Sequence, residues 1–330
     1  MILAGDIGGT TTRLAVFEAT GARLDLLAQA DFPSGRYPGL EAILSEFLEK
    51  HPAVIEVACF GIAGPVRQGR VETPNLSWVV DGKRLAQLLG LDGVGLLNDL
   101  EATAHGALVL DPADLAVLNE GTACAAGNRA VIAAGTGLGE AGLCWDGKSY
   151  RPFASEGGHA DFAPRDDLEV ELLQHLRRKF GHVSYERVVS GPGLQNLYNF
   201  LRDSGRGTEP DWLVERLRRE DPSAAIAGAA LEGSSELCVL ALDRFVSNYG
   251  AEAGNLALKF LSTGGVYLGG GIAPKILPKL REPVFLESFT DKGRYRKILE
   301  TIPVRVILND RAALLGAARH AALTAGLLDL

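Results

Sequence analysis

The chain opens with short apolar runs separated by turns that are rich in glycine. Ile2–Ile7 and Arg13–Phe17 have the apolar character of buried strands, and the glycine and threonine turn 8–10 separates them. A further strand is predicted around Leu24–Ala30. The first part of the chain is therefore predicted to form a β-meander.

Apolar residues then recur at helical spacing, which predicts an amphipathic helix from Gly39. Its apolar positions are Leu40, Ile43, Leu44, Phe47 and Leu48. Strands are predicted at Val57–Gly61 and Val94–Leu97, and Leu100–Leu110 is predicted to be helical. Asp99 would then lie at the carboxyl end of a strand, where open α/β sheets bind their ligands.

From about Leu115 the alternation of strand and glycine turn begins again. Predicted strands at Val131–Ala134 and Ala141–Trp145 flank the turn 135–139, as two strands flank the first turn. Strands at Val266–Leu268 and Val304–Leu308 follow. Helices are predicted at Leu168–Phe180, Leu194–Leu201, Trp212–Arg218, Glu236–Leu261 and from Arg311 to about Ala325. A duplicated α/β fold is the natural inference.

Composition indicates the general class of protein. A chain of 330 residues with 47% hydrophobic content is long enough for two globular lobes. No apolar run reaches the roughly 20 residues that cross a bilayer, and no basic leader precedes Ile2, so we expect a cytoplasmic protein that does not bind membranes. The net charge of -8 disfavours a nucleic-acid partner.

The four cysteines lie far apart and form no CxxC pair. They fit neither a disulfide framework nor a zinc cluster, and we expect buried, reduced thiols. The cysteines are Cys59, Cys124, Cys144 and Cys238.

The first glycine turn has the composition of a phosphate-binding hairpin. It consists of Gly5, Asp6, Ile7, Gly8, Gly9 and Thr10. Glycine lets backbone amides approach an anion, the threonine adds a hydroxyl, and a carboxylate is suited to position Mg²⁺ through water. An ordinary β-turn with a solvated Asp6 is the alternative for this motif taken alone.

Two further glycine motifs have similar chemistry. The turn Gly135, Thr136 and Gly137 resembles a dinucleotide fingerprint, but a predicted strand follows it where a Rossmann unit needs a helix. A second phosphate hairpin fits better, because it matches the first turn. Gly269 and Gly270 would let an adenine or ribose lie against bare backbone, although a flexible connection explains them equally well.

Taken in order along the chain, these motifs resemble the bacterial glucokinase family within the sugar kinase, Hsp70 and actin superfamily. The resemblance includes Asn98-Asp99-Leu100-Glu101-Ala102, Glu156-Gly157-Gly158-His159, Ser190-Gly191-Pro192-Gly193 and the run 182–187. No zinc-binding cysteine cluster accompanies them, so the chain resembles the glucokinases that lack zinc. Single turns are weak signals, whereas the ordered set covers essentially the whole chain.

The resemblance implies an α/β, two-lobed actin-like (ribonuclease H-like) fold with a cleft between the lobes. The small lobe would comprise residues 1–110 and the C-terminal helix 309–330, and the large lobe residues 111–308. ATP and Mg²⁺, glucose as substrate and a homodimer are implied as well. The matched sugar-binding positions are Asn98, Asp99, Glu156, His159 and Glu186. Asp99 is the expected base for the 6-hydroxyl of glucose.

Two other classes of protein share parts of this pattern. A sugar-responsive regulator would have lost catalysis, yet Asp99 is intact and the chain is acidic. An actin-like polymer or Hsp70-like ATPase would need the nucleotide-binding turns without the sugar-binding residues.

The remaining histidines, at 51, 105, 175, 182 and 320, are expected to be structural. From sequence, Gly137→Val is expected to weaken ATP binding and spare glucose binding.

Overall fold

The computed structural model describes residues 1–21, 23–73, 76–122, 124 and 126–328. Its strands are β1 (Ile2–Ile7), β2 (Thr11–Thr20), β3 (Arg23–Pro33), β4 (Val57–Ile62), β5 (Arg70–Glu72), β6 (Val79–Asp81), β7 (Gly95–Asn98), β8 (Leu115–Asn119), β9 (Arg129–Ala134), β10 (Leu138–Trp145), β11 (Tyr150–Ser155), β12 (Gly265–Gly269) and β13 (Val304–Ile307).

The α-helices are α1 (Leu40–Lys50), α2 (Gly82–Leu89), α3 (Asp99–Ala107), α4 (Asp167–Phe180), α5 (Gly191–Asp203), α6 (Asp211–Arg219), α7 (Pro222–Leu231), α8 (Glu236–Phe260), α9 (Leu277–Leu280), α10 (Pro283–Thr290), α11 (Arg296–Thr301) and α12 (Ala312–Thr324). Short 3₁₀ turns at Gly157–His159 and Tyr185–Arg187 carry residues of the candidate site.

Two of the sheets follow similar orders. The first sheet has the order β3-β2-β1-β4-β7, and the second has the order β11-β10-β9-β12-β13-β8. In the first, β1 pairs antiparallel with β2 and parallel with β4, which pairs parallel with β7. In the second, β12 pairs parallel with both β9 and β13. The shared order agrees with the duplicated fold inferred from the sequence.

The chain divides into two compact units. The first unit comprises Met1–Asp114, Ala141–Ala154 and Asn309–Leu330, and the second comprises Leu115–Glu140 and Ser155–Leu308. The lobe boundaries expected from the sequence remain a prediction, and residues 22, 74–75 and 329–330 of the predicted small lobe lie outside the described residues.

Each unit has its own apolar interior. In the first unit, α1 buries Ile43, Leu44 and Phe47 against the sheet, and α12 packs on α3 and on β1. In the second unit, the long helix α8 lies at the centre and is covered by α5, α7 and α10. The strand ends that carry the candidate site are therefore held by buried sheets and helices.

The predicted elements are mostly confirmed, with differences at their ends. Strand β1 has the predicted bounds, whereas β2 runs from Thr11 to Thr20 because its outer residues pair with β3. The helix predicted at Leu100–Leu110 spans Asp99–Ala107 instead. Pro112 follows closely, and a proline disfavours helical conformation in the residue before it. The helices α2, α7, α9, α10 and α11 were not predicted.

Two of the four cysteines contradict the expectation of burial. Cys59 and Cys238 are buried, but Cys124 and Cys144 are exposed, and all four are free thiols. Cys144 lies on β10 at a position that faces outward. Alternation along a strand does not show which of its two faces is buried until the neighbouring strands are known.

Among the described residues, no single helix is long and apolar enough to cross a membrane. The bent pair α7 and α8 together meets the length and composition of a membrane span.

Candidate active site

The first glycine turn is fixed by hydrogen bonds from a buried serine. The amide of Gly8 donates to the carbonyl oxygen of Thr11 (3.0 Å), and the Ser34 hydroxyl donates to the carbonyl oxygen of Gly8 (2.8 Å). The amide of Ser34 donates to the carbonyl oxygen of Thr10 (2.9 Å). Three hydrogen bonds thus hold the turn, and Thr10 is exposed.

Asp6 lies one residue before the end of β1 in an acidic environment. Burial and, after it, the charge of the neighbouring Asp99 raise its pKa to about 6. Arg13 acts against this increase. Its guanidinium binds the Asp31 carboxylate at 3.1 Å and the Asp310 carboxylate at 3.1 Å. The positive charge of one arginine is therefore shared among several carboxylates, and a further cation near Asp6 would be electrostatically favourable.

Asn98 and Asp99 lie where β7 ends and α3 begins. Asn98 is the N-cap residue, because its Oδ1 accepts from the amide of Leu100 at 2.9 Å. The Asp99 carboxylate accepts from the same amide at 2.9 Å. The register pairs Ile7 with Ile62 and Ile62 with Asn98, so the ends of β1, β4 and β7 meet at one edge of the sheet.

The second glycine turn connects β9 to β10. The amide of Gly135 donates to the carbonyl oxygen of Gly137 (2.8 Å), and the carbonyl oxygen of Gly135 accepts from the amide of Gly191 (2.8 Å). Ser190 caps α5 by accepting from the amide of Gly193 at 3.0 Å. The capping segment of α5 therefore supports the turn directly.

Gly270 passes close to the end of β9. Its φ is +80°, and a Cβ there would overlap the backbone of Ala134. Both features require glycine, because other residues rarely adopt this conformation and no side chain fits. Gly269 and Gly270 are thus placed beside the second glycine turn, at the carboxyl ends of neighbouring strands β12 and β9.

Three predicted sugar-binding residues lie next to that turn. The Oε2 atom of Glu186 accepts from the amide of Leu138 at 3.0 Å, and its Oε1 atom lies 3.9 Å from Nδ1 of His159. The amide of His159 donates to the carbonyl oxygen of Glu156 at 3.0 Å. The side chains of Glu156 and His159 are exposed. This group combines acceptors with an imidazole that donates or accepts, which suits a polyhydroxylated ligand.

Within each unit the predicted residues come together. The first unit gathers the turn 5–10 with Asn98 and Asp99, and the second gathers the turn 135–137 with Gly270 and the three sugar-binding candidates. Sequence reasoning missed Ser34, Arg13 and Asp310 around the first turn, and the Glu140 carboxyl against which Gly157 lies. A lone serine, arginine or acid carries no sequence signal of this kind, because its partners are distant in the chain.

Comparison with known structures places this arrangement among sugar kinases of the two-lobed actin-like fold. A crystal structure of glucokinase from an Antarctic psychrotroph is 33% identical, with a TM-score of 0.85 and coverage of 98% of each chain. A ROK family glucokinase from Streptomyces griseus, solved with glucose and AMPPNP, has a TM-score of 0.65 at 20% identity and covers 98% of this chain and 99% of its own.

The chain belongs to the glucokinase family, because the family model described as Glucokinase matches residues 3–324. Curated sequences agree with this assignment. The glucokinase of Nostoc sp. (strain PCC 7120) is 45% identical over 338 residues, which cover 98% of this chain and 99% of the relative.

Proposed function

We propose that this protein is an ATP-dependent glucokinase that transfers the γ-phosphoryl group of ATP to the 6-hydroxyl of glucose. One observation carries the proposal beyond family membership. The Glu186 carboxylate accepts from the amide of Leu138, the residue that follows the second glycine turn. A candidate sugar ligand and a candidate phosphate cradle are thus joined by one hydrogen bond.

The two glycine turns are the proposed phosphate cradle. In both, amides and an exposed threonine hydroxyl (Thr10 and Thr136) are available to phosphate oxygens. Gly269 and Gly270 would offer bare backbone to the nucleoside. The Streptomyces griseus neighbour was solved with an ATP analogue and glucose together, which supports the same pair of substrates here.

Glucose would be held by hydrogen bonds to its hydroxyls. Glu156 and Glu186 accept, His159 donates or accepts, and Asn98 does both. A neutral sugar offers no charge to bind, so selectivity must come from pairing hydroxyls with such groups. A site built this way rejects sugars that leave one of its polar groups unpaired.

Asp6 is the residue that would hold Mg²⁺, through water. Its carboxylate oxygens are donors of the type that Mg²⁺ prefers, and its acidic surroundings favour a cation. The described residues include no group of three or more histidine, cysteine or acidic side chains able to bind a metal alone. The ATP phosphates would therefore complete the coordination, and the ion would neutralise phosphate charge.

Asp99 is the proposed base. The 6-hydroxyl oxygen forms a bond to the γ-phosphorus, the bond from that phosphorus to the bridging oxygen of ADP breaks, and the hydroxyl proton passes to the Asp99 carboxylate. The protein contributes mainly by positioning the two substrates in line, because phosphoryl transfer needs little covalent help. Placement at the first turn of α3 fixes where the carboxylate can lie.

Replacing Asp99 by asparagine tests the base. Asn keeps one carbonyl acceptor for the Leu100 amide but takes no proton at neutral pH, and the N-cap itself belongs to Asn98. We expect kcat to fall by about 10²–10⁴-fold, with far smaller changes in glucose affinity and thermal stability. Coupled kinase assays, calorimetric glucose binding and melting curves on one preparation measure all three.

Glu101→Gln is the matched control, because it neutralises another carboxylate in the same helical turn without touching a proposed substrate contact. It should keep kcat within a few-fold of the parent. A folded Asp99→Asn protein with unchanged kcat would remove Asp99 from the mechanism.

The homodimer stays a prediction from the family resemblance, and the cytoplasmic location stays a prediction from composition.

A further inference from the structure

A buried carboxyl supports the segment that carries Glu156 and His159. Glu140 lies on β10 and is 1% exposed, and its Oε1 atom has no hydrogen-bond partner. A Cβ on Gly157 would overlap the carboxyl group of Glu140. The backbone of the 157–159 turn therefore lies directly against this side chain, and a Cβ at position 157 would require the Glu140 carboxyl to move.

A second buried acid adjoins Glu140. Glu252 of α8 is fully buried, and its carboxylate binds Lys259 at 3.1 Å and accepts from Asn255 at 2.8 Å. Two carboxylates that share a buried space do not both ionise readily. Both Lys259 and Asn255 donate hydrogen bonds to Glu252. The pKa of Glu140 is raised well above its usual range, first by burial and then by the charge of Glu252.

The same face of α8 also holds the other sugar-binding segment. The Asn255 side chain donates to the Tyr185 hydroxyl at 3.0 Å as well as to Glu252. Tyr185 immediately precedes Glu186, and its amide donates to the carbonyl oxygen of Ala160 at 3.0 Å. A single polar network thus connects the supports of both segments.

We propose that Glu140, the buried acid that lies against Gly157 and beside Glu252, is a positioning residue that holds the Glu156–His159 segment in its sugar-binding conformation. The inference rests on the proposed sugar site. Loss of the proton from Glu140 would place two negative charges together beneath Gly157 and push the segment away from its bound geometry. Glucose affinity, rather than the chemical step, would then fall at alkaline pH.

Other titratable groups face the same network. Lys259 lies on α8, Tyr185 on the 185–187 turn, and Lys292 and Arg165 lie nearby. Burial lowers the pKa of Lys292 to about 8, with Arg165 the next cause, so this lysine also titrates in the alkaline range. A pH dependence of the wild-type enzyme therefore does not identify Glu140 without a variant that removes only its titration.

Glu140→Gln is that variant, because its amide has the shape of a neutral carboxyl and cannot ionise. The KM for glucose is measured at saturating ATP from about pH 6.5 to pH 9.5 in the wild type, Glu140→Gln and Glu140→Ala. We expect the wild-type KM to rise roughly tenfold over this range with little change in kcat, and the Gln variant to keep its neutral KM throughout. The Ala variant should show a KM about tenfold higher at every pH, because it removes the support.

A Glu140→Gln enzyme with the same alkaline rise as the wild type would assign the effect to Lys292 or another group and overturn the proposal. So would a wild-type KM that stays flat. Glu156→Ala separates this failure from failure of the proposed site: unchanged glucose kinetics in that variant would reject the sugar site itself. If the Ala variant at 140 does not fold, the comparison of wild type with Gln still decides.

Discussion

Glu186 divides its two carboxylate oxygens between two neighbours. Oε2 accepts from the Leu138 amide, and Oε1 faces Nδ1 of His159 at 3.9 Å. Gly137 allows the first contact, because a Cβ there would lie 2.5 Å from Oε2. Gly137 therefore contacts the proposed sugar-binding group as well as forming part of the proposed phosphate turn.

This contact changes the expectation for Gly137→Val. From sequence, the variant should lose ATP affinity and keep glucose affinity, but a valine side chain would also displace the Glu186 carboxylate. We expect Gly137→Val to weaken both ligands by roughly tenfold or more, since a displaced partner leaves polar groups unpaired. Calorimetric titrations of each ligand into the folded variant measure the two affinities separately.

Gly135→Val is the matched comparison, because a Cβ at Gly135 meets no protein atom within 4 Å. It should weaken ATP binding while glucose affinity stays within about twofold of the wild type. Normal glucose affinity in Gly137→Val would contradict the double role of that glycine, and normal ATP affinity in both variants would reject the second turn as a phosphate cradle.

Among the elements of the first unit, α3 and α12 are packed unusually closely. A Cβ on Gly106 would overlap the backbone of Ala312, and one on Gly316 would overlap the backbone of Ala102. His105 and His320 meet across this contact, with Nε2 of His105 3.2 Å from Nδ1 of His320, and Arg319 lies on the other side of His105 at 3.2 Å. The helix that begins at Asp99 is thus held by buried His105 and its contact with half-buried His320.

This pair predicts a loss of stability in mild acid. Burial, then His320 and Arg319, lower the pKa of His105 from 6.5 to about 3. A depressed histidine pKa means that the unfolded chain binds the proton more readily. The stability that neutral His105 contributes is thus complete above about pH 6.5 and is lost as the pH falls towards about 3.

Urea unfolding at about pH 7 and pH 5 tests this in the wild type and His105→Gln. One pKa unit corresponds to about 1.4 kcal/mol, so the wild-type free energy of unfolding should fall by about 2 kcal/mol more than that of the variant. Comparing the two proteins removes the contribution of titrating acids common to both. An identical pH dependence would show that His105 accepts its proton in the folded state without penalty.

The sequence predicts elements well where the apolar periodicity is clear. Strand β1 and the start of α1 follow from apolar patterning to within one residue, whereas α5 begins at Gly191, three residues before the predicted start at Leu194, because Ser190 caps it. Helix α7 was missed because its alanine-rich sequence has no clear polar face. The close packing of α3 on α12 was not predictable either, because it depends on glycines more than 200 residues apart.

At the scale of the whole molecule, the ordered set of motifs predicted the family, and the family match confirms it. The repeated sheet order explains why two similar glycine turns recur, since each closes an equivalent hairpin. Burial of single polar residues was not predictable in the same way. Glu140 resembles any strand glutamate until the folded chain places Gly157 and Glu252 against it.

The whole chain is expected to turn over ATP only when a sugar is bound. An actin-like or Hsp70-like ATPase would hydrolyse ATP alone, whereas a kinase positions a sugar hydroxyl in line with the γ-phosphate. Oriented groups reach effective molarities of roughly 10⁵ M or more, so a bound hydroxyl should outcompete water by about a thousandfold or more. ADP release is measured with ATP alone and with glucose, mannose or fructose added, and formation of the sugar phosphate is measured with ADP or polyphosphate as donor. Glucose should raise the rate by at least about a hundredfold over ATP alone. Asp99→Asn should lose this stimulation, since asparagine cannot accept the proton of the sugar hydroxyl.

Hydrolysis of ATP without sugar at a rate near that with glucose would reject the kinase function. Stimulation by mannose or fructose but not by glucose would reject glucose as the substrate.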